Sequence, residues 1–216
     1  MKDNKSILEP SGMYHIYNRA NGNEWLFLND DNYIYFLKKY NEYIYPVAHT
    51  FCYCLMPNHF HFLVRIKPES EILEIIKNWK FKSTKTLQGF QTLEGLPKYQ
   101  ILSKFISQQF SHLFNGYTQA FNKQNNRKGS LFMHPFKRKR IDSETYLRKV
   151  IHYIHYNPVE AGFVDKVEDW KFSSFNAIVS NKPTKILKDE VVAYFDNLEN
   201  FKFCHTYPPD ETGIDF

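Results

Sequence analysis

An α+β fold is predicted by three observations. Short runs of β-branched and aromatic residues lie at 12–18, 47–56 and 60–66, a composition suited to strands. Only Pro57-Asn58 separates the second run from the third, which makes the pair a hairpin. Segments of helical period separate or follow these runs. The order is strand, helix, strand, strand, helix, then a helix, a basic strand and a final helix. A hairpin after a βα unit, with helices covering one face, fits a ferredoxin-like antiparallel sheet with helices packed on it, plus a C-terminal helical extension.

After a polar lead, residues 12–18 form the first strand, followed by a Gly-containing loop to Asn29. Asp30 or Asp31 caps a helix to about Tyr45, with Tyr33, Phe36, Leu37 and Tyr40 on one face, and Pro46 stops it. Beyond the hairpin, residues 71–82 read as a helix with Ile72, Leu73, Ile75, Ile76 and Trp79 on its apolar side. Gly89, Gly95 and Pro97 break regular structure between 83 and 103, leaving a loop or a short inserted hairpin. A helix from about Ser103 to Asn122 carries Phe110, Leu113, Phe114, Tyr117 and Phe121 as a packing stripe. Lys137-Arg138-Lys139-Arg140 reads as a short strand whose alternation sends two cations to each face. Asp142 or Ser143 caps the last core helix, which ends near Asn157 because Pro158 disfavours helical geometry before it. The tail holds a further helix at 187–198 and looks peripheral.

The 216 residues suffice for one large domain, and 43% apolar content supports a sizeable core. Tyr (15) and Phe (20) are abundant, and aromatics both fill cores and stack on unpaired bases. A formal charge of +5 is compatible with a nucleic-acid partner. Three cysteines build no framework of bridges, and Cys52 and Cys54 stand too close along one strand to pair, which suits a reducing compartment. The lead has no signal-peptide pattern and no apolar run spans a bilayer, so the cytoplasm is expected and no membrane partner.

Chemistry concentrates in two places. Along a strand, His59 and His61 point the same way while Phe60, Phe62 and Val64 point the other. Two neutral imidazoles on a rigid sheet can hold a divalent metal, or be half-buried histidines satisfied by backbone carbonyls. On the last core helix, Leu147, Val150, Ile151 and Ile154 form the packing stripe. Tyr153 falls beside that stripe with Asn157 one turn on, while His152 and Tyr156 point to solvent and His155 lies on the opposite flank. Tyr153 and Asn157 can therefore reach a cleft, or can be a packing residue and a helix cap. The basic run Lys137, Arg138, Lys139 and Arg140 is a candidate contact for nucleic-acid phosphates, and Arg19 at the end of the first strand joins it.

Four blocks in order, G-M-Y-H-I-Y-N-R at 12–19, Y-C-L-M-P-N-H-F-H-F-L-V at 53–64, G-S-L-F-M-H-P-F-K at 129–137 and Y-L-R-K-V-I-H-Y-I-H-Y-N-P-V-E-A-G-F-V at 146–164, followed by W-K-F-S-S-F, resemble the REP-associated tyrosine transposases. These are relatives of the single-tyrosine HUH, IS200-like transposases. The resemblance implies a catalytic domain over 1–175 with a peripheral extension at 176–216. It implies that His59 and His61 hold Mg²⁺ or Mn²⁺, that Asn157 completes the metal site, and that Tyr153 is the nucleophile. The implied reaction is cleavage and rejoining of single-stranded, hairpin-associated DNA through a 5′-phosphotyrosine, without a nucleotide cofactor. Monomer and homodimer stay open. Met133-His134-Pro135 stands where many relatives carry Gln-Gly, so DNA contacts there differ. Two other readings compete: a domesticated module that holds structured nucleic acid without cutting, and a small-substrate metallohydrolase, which lacks the usual acidic ligands.

Overall fold

Side-chain alternation divides one sheet into two faces, and each face gathers its own core. In the computed structural model, which describes residues 6–82 and 97–214 with side chains for all of these except 79–82, the strands are β1 (Met13–Arg19), β2 (Ala48–Met56), β3 (His59–Ile66) and β4 (Lys137–Arg140). They pair antiparallel in the order β2-β3-β1-β4. With helix α1 (Asp30–Tyr43) between β1 and β2, and α2 (Glu69–Lys82) and α3 (Lys98–Gln124) between β3 and β4, this is the expected α+β, ferredoxin-like arrangement.

One face packs on α1 and α3. Phe60, Phe62 and Val64 of β3 join Tyr14 and Ile16 of β1 and Phe36, Phe110, Phe114 and Tyr117 of the helices in an aromatic-rich core. The stripe read from α3 is core throughout: Phe110, Leu113, Phe114, Tyr117 and Phe121 are all buried. The other face packs on helix α4 (Glu144–Glu160), whose Leu147, Val150, Ile151 and Ile154 meet Cys52, Cys54, Met56 and Leu63. A bulge lets β2 serve this layer: Thr50 pairs with Val64 but Cys52 with Leu63, so Phe51 is the extra residue. The three cysteines are free thiols.

Short helices α5 (Phe175–Val179), α6 (Lys188–Ala193) and α7 (Leu198–Cys204) complete the second layer. The segment expected to be peripheral thus contributes Ile178, Val191, Phe195 and Phe201 to the buried cluster. Backbone pairing also continues past both outer strands. At β2, Leu55 N–H donates to Phe172 C=O and Leu187 N–H to Thr50 C=O, and at β4, Ser6 N–H donates to Arg138 C=O.

Several boundaries differ from expectation for local reasons. Asn29, not Asp30 or Asp31, caps α1, its Oδ1 accepting from Asn32 N–H; the two aspartates sit in the first turn instead, where the helix dipole favours them. Pro97, read as a breaker, directly precedes α3 and starts it five residues earlier than expected; proline tolerates a helix start because no N–H partner is needed there. The expected loop or hairpin therefore shrinks, and its residues 83–96 lie outside the described residues, as does the side chain of Trp79. Ser143 caps α4, and the helix runs through Pro158 to Glu160. The turn after it closes on Gly162 at φ +70, with Ala161 N–H reaching Asn157 C=O and Phe163 N–H reaching Pro158 C=O. The single helix expected at 187–198 is two, separated by Asp196 at φ +68 and restarted by an Asn197 cap. Among the described residues no helix is long and apolar enough to cross a membrane.

Phe62 is in ring contact with Tyr40, Phe36, Tyr53 and Phe60 at the centre of the aromatic layer. Phe62→Ala is expected to cost about 3–5 kcal/mol in chemical denaturation, while Leu28→Ala, at a surface position, changes stability by less than about 0.5 kcal/mol.

Candidate active site

The α4-facing side of β3 is where the polar chemistry collects. His59 and His61 both point there, their rings edge to face with centroids 5.1 Å apart. Register brings β1 alongside, pairing Tyr17 with His61 and Arg19 with His59. Across the layer, α4 presents Tyr153 and Asn157. The Tyr153 ring stands edge-on to His61 at 5.5 Å between centroids. The Asn157 amide nitrogen donates to Tyr153 C=O at 3.1 Å, which turns its Oδ1 toward His59 Nε2, 3.2 Å away.

His59, His61 and Tyr153 border a cleft of about 360 Å³ whose wall also includes Tyr17, Asn18, Arg19, Asn58 and Lys137, with Asn157 buried behind His59. Burial sets their ionisation. It lowers the pKa of His59, helped by the charge of Arg19, and lowers that of His61 well below the usual range, with His15 and His59 adding to the effect. Both imidazoles are therefore neutral at pH 7, the form that ligates metals. Burial pushes the Tyr153 phenol up to about 12, against an opposing contribution from the Asn157 amide.

His59, His61 and Asn157 are the groups here that could hold a divalent cation. Among the described residues no group of three or more His, Cys, Asp and Glu is disposed around one point to hold a metal, so a site here rests on two imidazoles and an amide oxygen. The 3.2 Å between His59 Nε2 and Asn157 Oδ1 is close to the ligand–ligand edge of about 3 Å that an octahedral ion with bonds of about 2.1 Å requires. His59 Nδ1 lies 2.7 Å from Asn58 Oδ1, an acceptor. With Nδ1–H donated there, Nε2 and the amide oxygen face each other as two lone pairs, and a cation between them satisfies both.

The basic run divides by parity. Lys137 and Lys139 of β4 pair with Tyr17 and His15 of β1, on the site's side of the sheet. Lys137 lies over the Tyr17 ring at 5.7 Å and Lys139 over Tyr146 at 4.6 Å. Arg138 and Arg140 turn to the other face. Arg138 donates to Ser6 C=O at 2.6 Å and covers the Phe136 ring, and Arg140 bonds Glu9 and Asp142. Of the cleft residues, Tyr17, Asn18 and Asn58 were not singled out from sequence, nor was His15, which is buried behind His61. The H-x-Y spacing in β1 was the available signal, but it acquires meaning only once β1 is known to lie beside β3.

The solvent-facing orientation expected for His152 and Tyr156 needs correction, while His155 lies on the opposite flank as expected. His155 is fully buried, and His152 and Tyr156 are half-buried, because α7 and residues 205–214 cover that side of the helix. His152 Nε2 meets Tyr207 C=O at 2.9 Å. A buried chain of hydrogen bonds follows: His205 Nδ1–H donates to Phe201 C=O at 2.7 Å, His155 Nδ1 meets His205 Nε2 at 3.0 Å, and His155 Nε2 meets at 2.7 Å the Ser174 Oγ, which also reaches Tyr53 C=O. Ser174 Oγ accepts in turn from Tyr53 N–H of β2. With both imidazoles neutral, as burial favours, every ring nitrogen has one role. The helix bearing Tyr153 is thereby tied to the sheet and to the C-terminal segment.

Comparison with known proteins adds to this geometry. The family model "Transposase IS200 like" matches residues 35–95, a stretch that contains His59 and His61 but neither Tyr153 nor Asn157. A Haemophilus influenzae protein described as "Putative REP-associated tyrosine transposase" is 27% identical over 134 residues, covering 61% of this chain and 61% of its own length. The chain resembles the IS200-like transposases. A solved REP-associated tyrosine transposase bound to a REP hairpin shares the fold, with a TM-score of 0.52 at 15% identity, over 85% of this chain and 88% of that one. The likeness to REP-associated tyrosine transposases read from the four sequence blocks is thus met in sequence and in fold.

Burial gives the site a pH dependence. His15 and His205 are each held near 3 against 6.5 in the unfolded chain, by desolvation first and by Lys139 and His152 respectively. A depressed histidine pKa means that the unfolded chain takes up protons first as pH falls. The stability is therefore complete above about 6.5 and is lost progressively toward 3, about 2 kcal/mol for each histidine at pH 5. Thermal melts are expected to show a clearly lower Tm at pH 5 than at pH 7.5; equal values would contradict the neutral assignment.

Proposed function

We propose that this chain is a DNA strand transferase that cleaves and rejoins single-stranded, hairpin-associated DNA, with Tyr153 as nucleophile and Mg²⁺ or Mn²⁺ held by His59, His61 and Asn157. The observation that supports it most is the meeting of β3 and α4 side chains 98 positions apart in sequence at one cleft, His59 Nε2 against Asn157 Oδ1 with Tyr153 beside them. The solved relative is bound to a REP hairpin, and we extend that class of partner to this chain.

The bound cation would withdraw charge from the non-bridging oxygens of the scissile phosphate. The other steps belong to the chain. Tyr153 Oη attacks phosphorus; the Oη–P bond forms as the bond from phosphorus to the 3′-oxygen breaks. The phenolic proton passes to solvent, and the departing oxygen takes up a proton to become a 3′-OH. The 5′-phosphate stays on the ring oxygen, so the phosphodiester's energy is conserved and no nucleotide cofactor is needed. Attack by another 3′-OH restores Tyr153 and joins the strands. A phenol near 12 is a poor nucleophile at neutral pH. Lys137, on the same cleft, can hold the flanking phosphates together with Arg19. Such work on DNA fits the cytoplasm, where the three free thiols are stable.

Incubation with a hairpin oligonucleotide bearing single-stranded flanks and Mn²⁺ is expected to yield a denaturation-resistant adduct at a DNA 5′ end. Tyr153→Phe is expected to abolish it, and Asn157→Ala to slow it about 10–100-fold. An adduct that persists in Tyr153→Phe would remove this residue as nucleophile. Tight hairpin binding with no adduct under any divalent cation would make the chain a holding module instead.

A further inference from the structure

The back of His61 is occupied by a second histidine from the neighbouring strand. His15 Nε2 lies 2.9 Å from His61 Nδ1, and the two ring planes are only 24° apart with centroids at 5.1 Å. Close nitrogens, near-coplanar rings and distant centroids describe an end-to-end N–H···N hydrogen bond, not a face-to-face stack. Such a bond has one donor and one acceptor, so it couples the tautomers of the two rings.

Two assignments exist. If His15 donates through Nε2–H, His61 must carry its own proton on Nε2, and that nitrogen cannot ligate a metal. If His61 donates through Nδ1–H, its Nε2 holds a lone pair and His15 carries its proton on Nδ1. Only the second is compatible with a cation at the cleft. Water is a poor substitute for His15 in this role, because His15 is 0% and His61 4% exposed. His59 shows the same design independently: its Nδ1 lies 2.7 Å from Asn58 Oδ1, which can only accept. Each of the two imidazoles on β3 thus has its Nδ1 engaged by a side chain that can take its proton.

We propose that His15 is a positioning residue of the metal site: it accepts the Nδ1–H of His61 and so fixes the tautomer and ring orientation in which His61 Nε2 can bind a divalent cation. This inference rests on the metal-dependent reading above. His15 touches neither DNA nor the reacting atoms, and acts through His61 alone. A partner of this kind changes metal affinity by about 10–100-fold in known sites. The role asks for an acceptor at the position of His15 Nε2, which the side-chain amide of glutamine can supply and phenylalanine cannot.

The experiment is Mn²⁺ titration of the full-length protein without DNA, followed by the electron paramagnetic resonance of free Mn²⁺, for wild type, His15→Gln and His15→Phe. The expected result is a Kd raised about 10–100-fold in His15→Phe and within a few-fold of wild type in His15→Gln. Long-range ¹⁵N NMR of the histidine rings should show His61 as the Nδ1–H tautomer in wild type and His15→Gln, and its loss in His15→Phe. If His15→Phe does not fold, the wild-type spectrum and His15→Gln still decide: an Nε2–H proton on His61 in the metal-loaded protein overturns the proposal. So does wild-type Mn²⁺ affinity in His15→Phe, with adduct formation intact, and that outcome leaves the transferase reading standing. If wild type itself binds no Mn²⁺, the metal-dependent reading fails and this proposal falls with it.

Discussion

Everything in this molecule depends on the two-residue period of β3. The strand is central in the sheet and covered on both sides. Its even-numbered residues build the aromatic layer that orders α1 and α3, and its odd-numbered residues deliver two imidazoles to the α4 side. A one-residue slip would exchange the two sets, burying imidazoles among phenylalanines and emptying the cleft. Stability and chemistry are therefore specified by the same register. Phe60, Phe62 and Val64 hold His59 and His61 in place by having nowhere else to go.

The second requirement is that α4 keep its rotation about its own axis. The stripe Leu147–Val150–Ile151–Ile154 sets that rotation coarsely through apolar contact, and directional bonds refine it. On one flank the Asn157 amide is clasped between Tyr153 C=O and His59. On the opposite flank the chain from Ser174 through His155 to His205 ends on a helix carbonyl. Apolar packing tolerates some sliding, but a hydrogen bond in a buried layer tolerates very little, since each unmade bond there costs about 1–3 kcal/mol. The phenol of Tyr153 is delivered to within ring contact of His61 by these two clasps together.

The parts legible in sequence were those with local causes. Alternation in β3 and the Pro57-Asn58 turn gave the hairpin; the helical stripe on α4 gave its buried face and put Tyr153 and Asn157 at the edge of it. The resemblance to a family supplied the link between these two distant segments, which spacing alone could not. What remained hidden was non-local. His15 becomes interesting only when β1 lies beside β3, and that neighbourhood depends on a crossover through α1. His152 and Tyr156 looked solvent-facing because nothing in residues 144–160 announces that α7 and the residues after it will cover that side. Caps and starts failed by small margins for a related reason: Asn29 and Pro97 competed with equally plausible neighbours, and tertiary contacts chose between them.

The continuation of backbone pairing beyond β2 and β4 has a consequence for how anything can join this sheet. At β2 the ladder is taken up by residues 172–173 and 186–187, and at β4 by Ser6, beside a four-residue strand made entirely of long cations. An incoming extended chain would meet occupied carbonyls at one rim and like-charged or hydrated side chains at the other. Recognition by strand addition is thereby discouraged, and a nucleic acid, which brings no amide ladder of its own, loses nothing by this. On the reading proposed above, it would meet the ammonium groups of Lys137 and Lys139 on the site's side of the sheet instead.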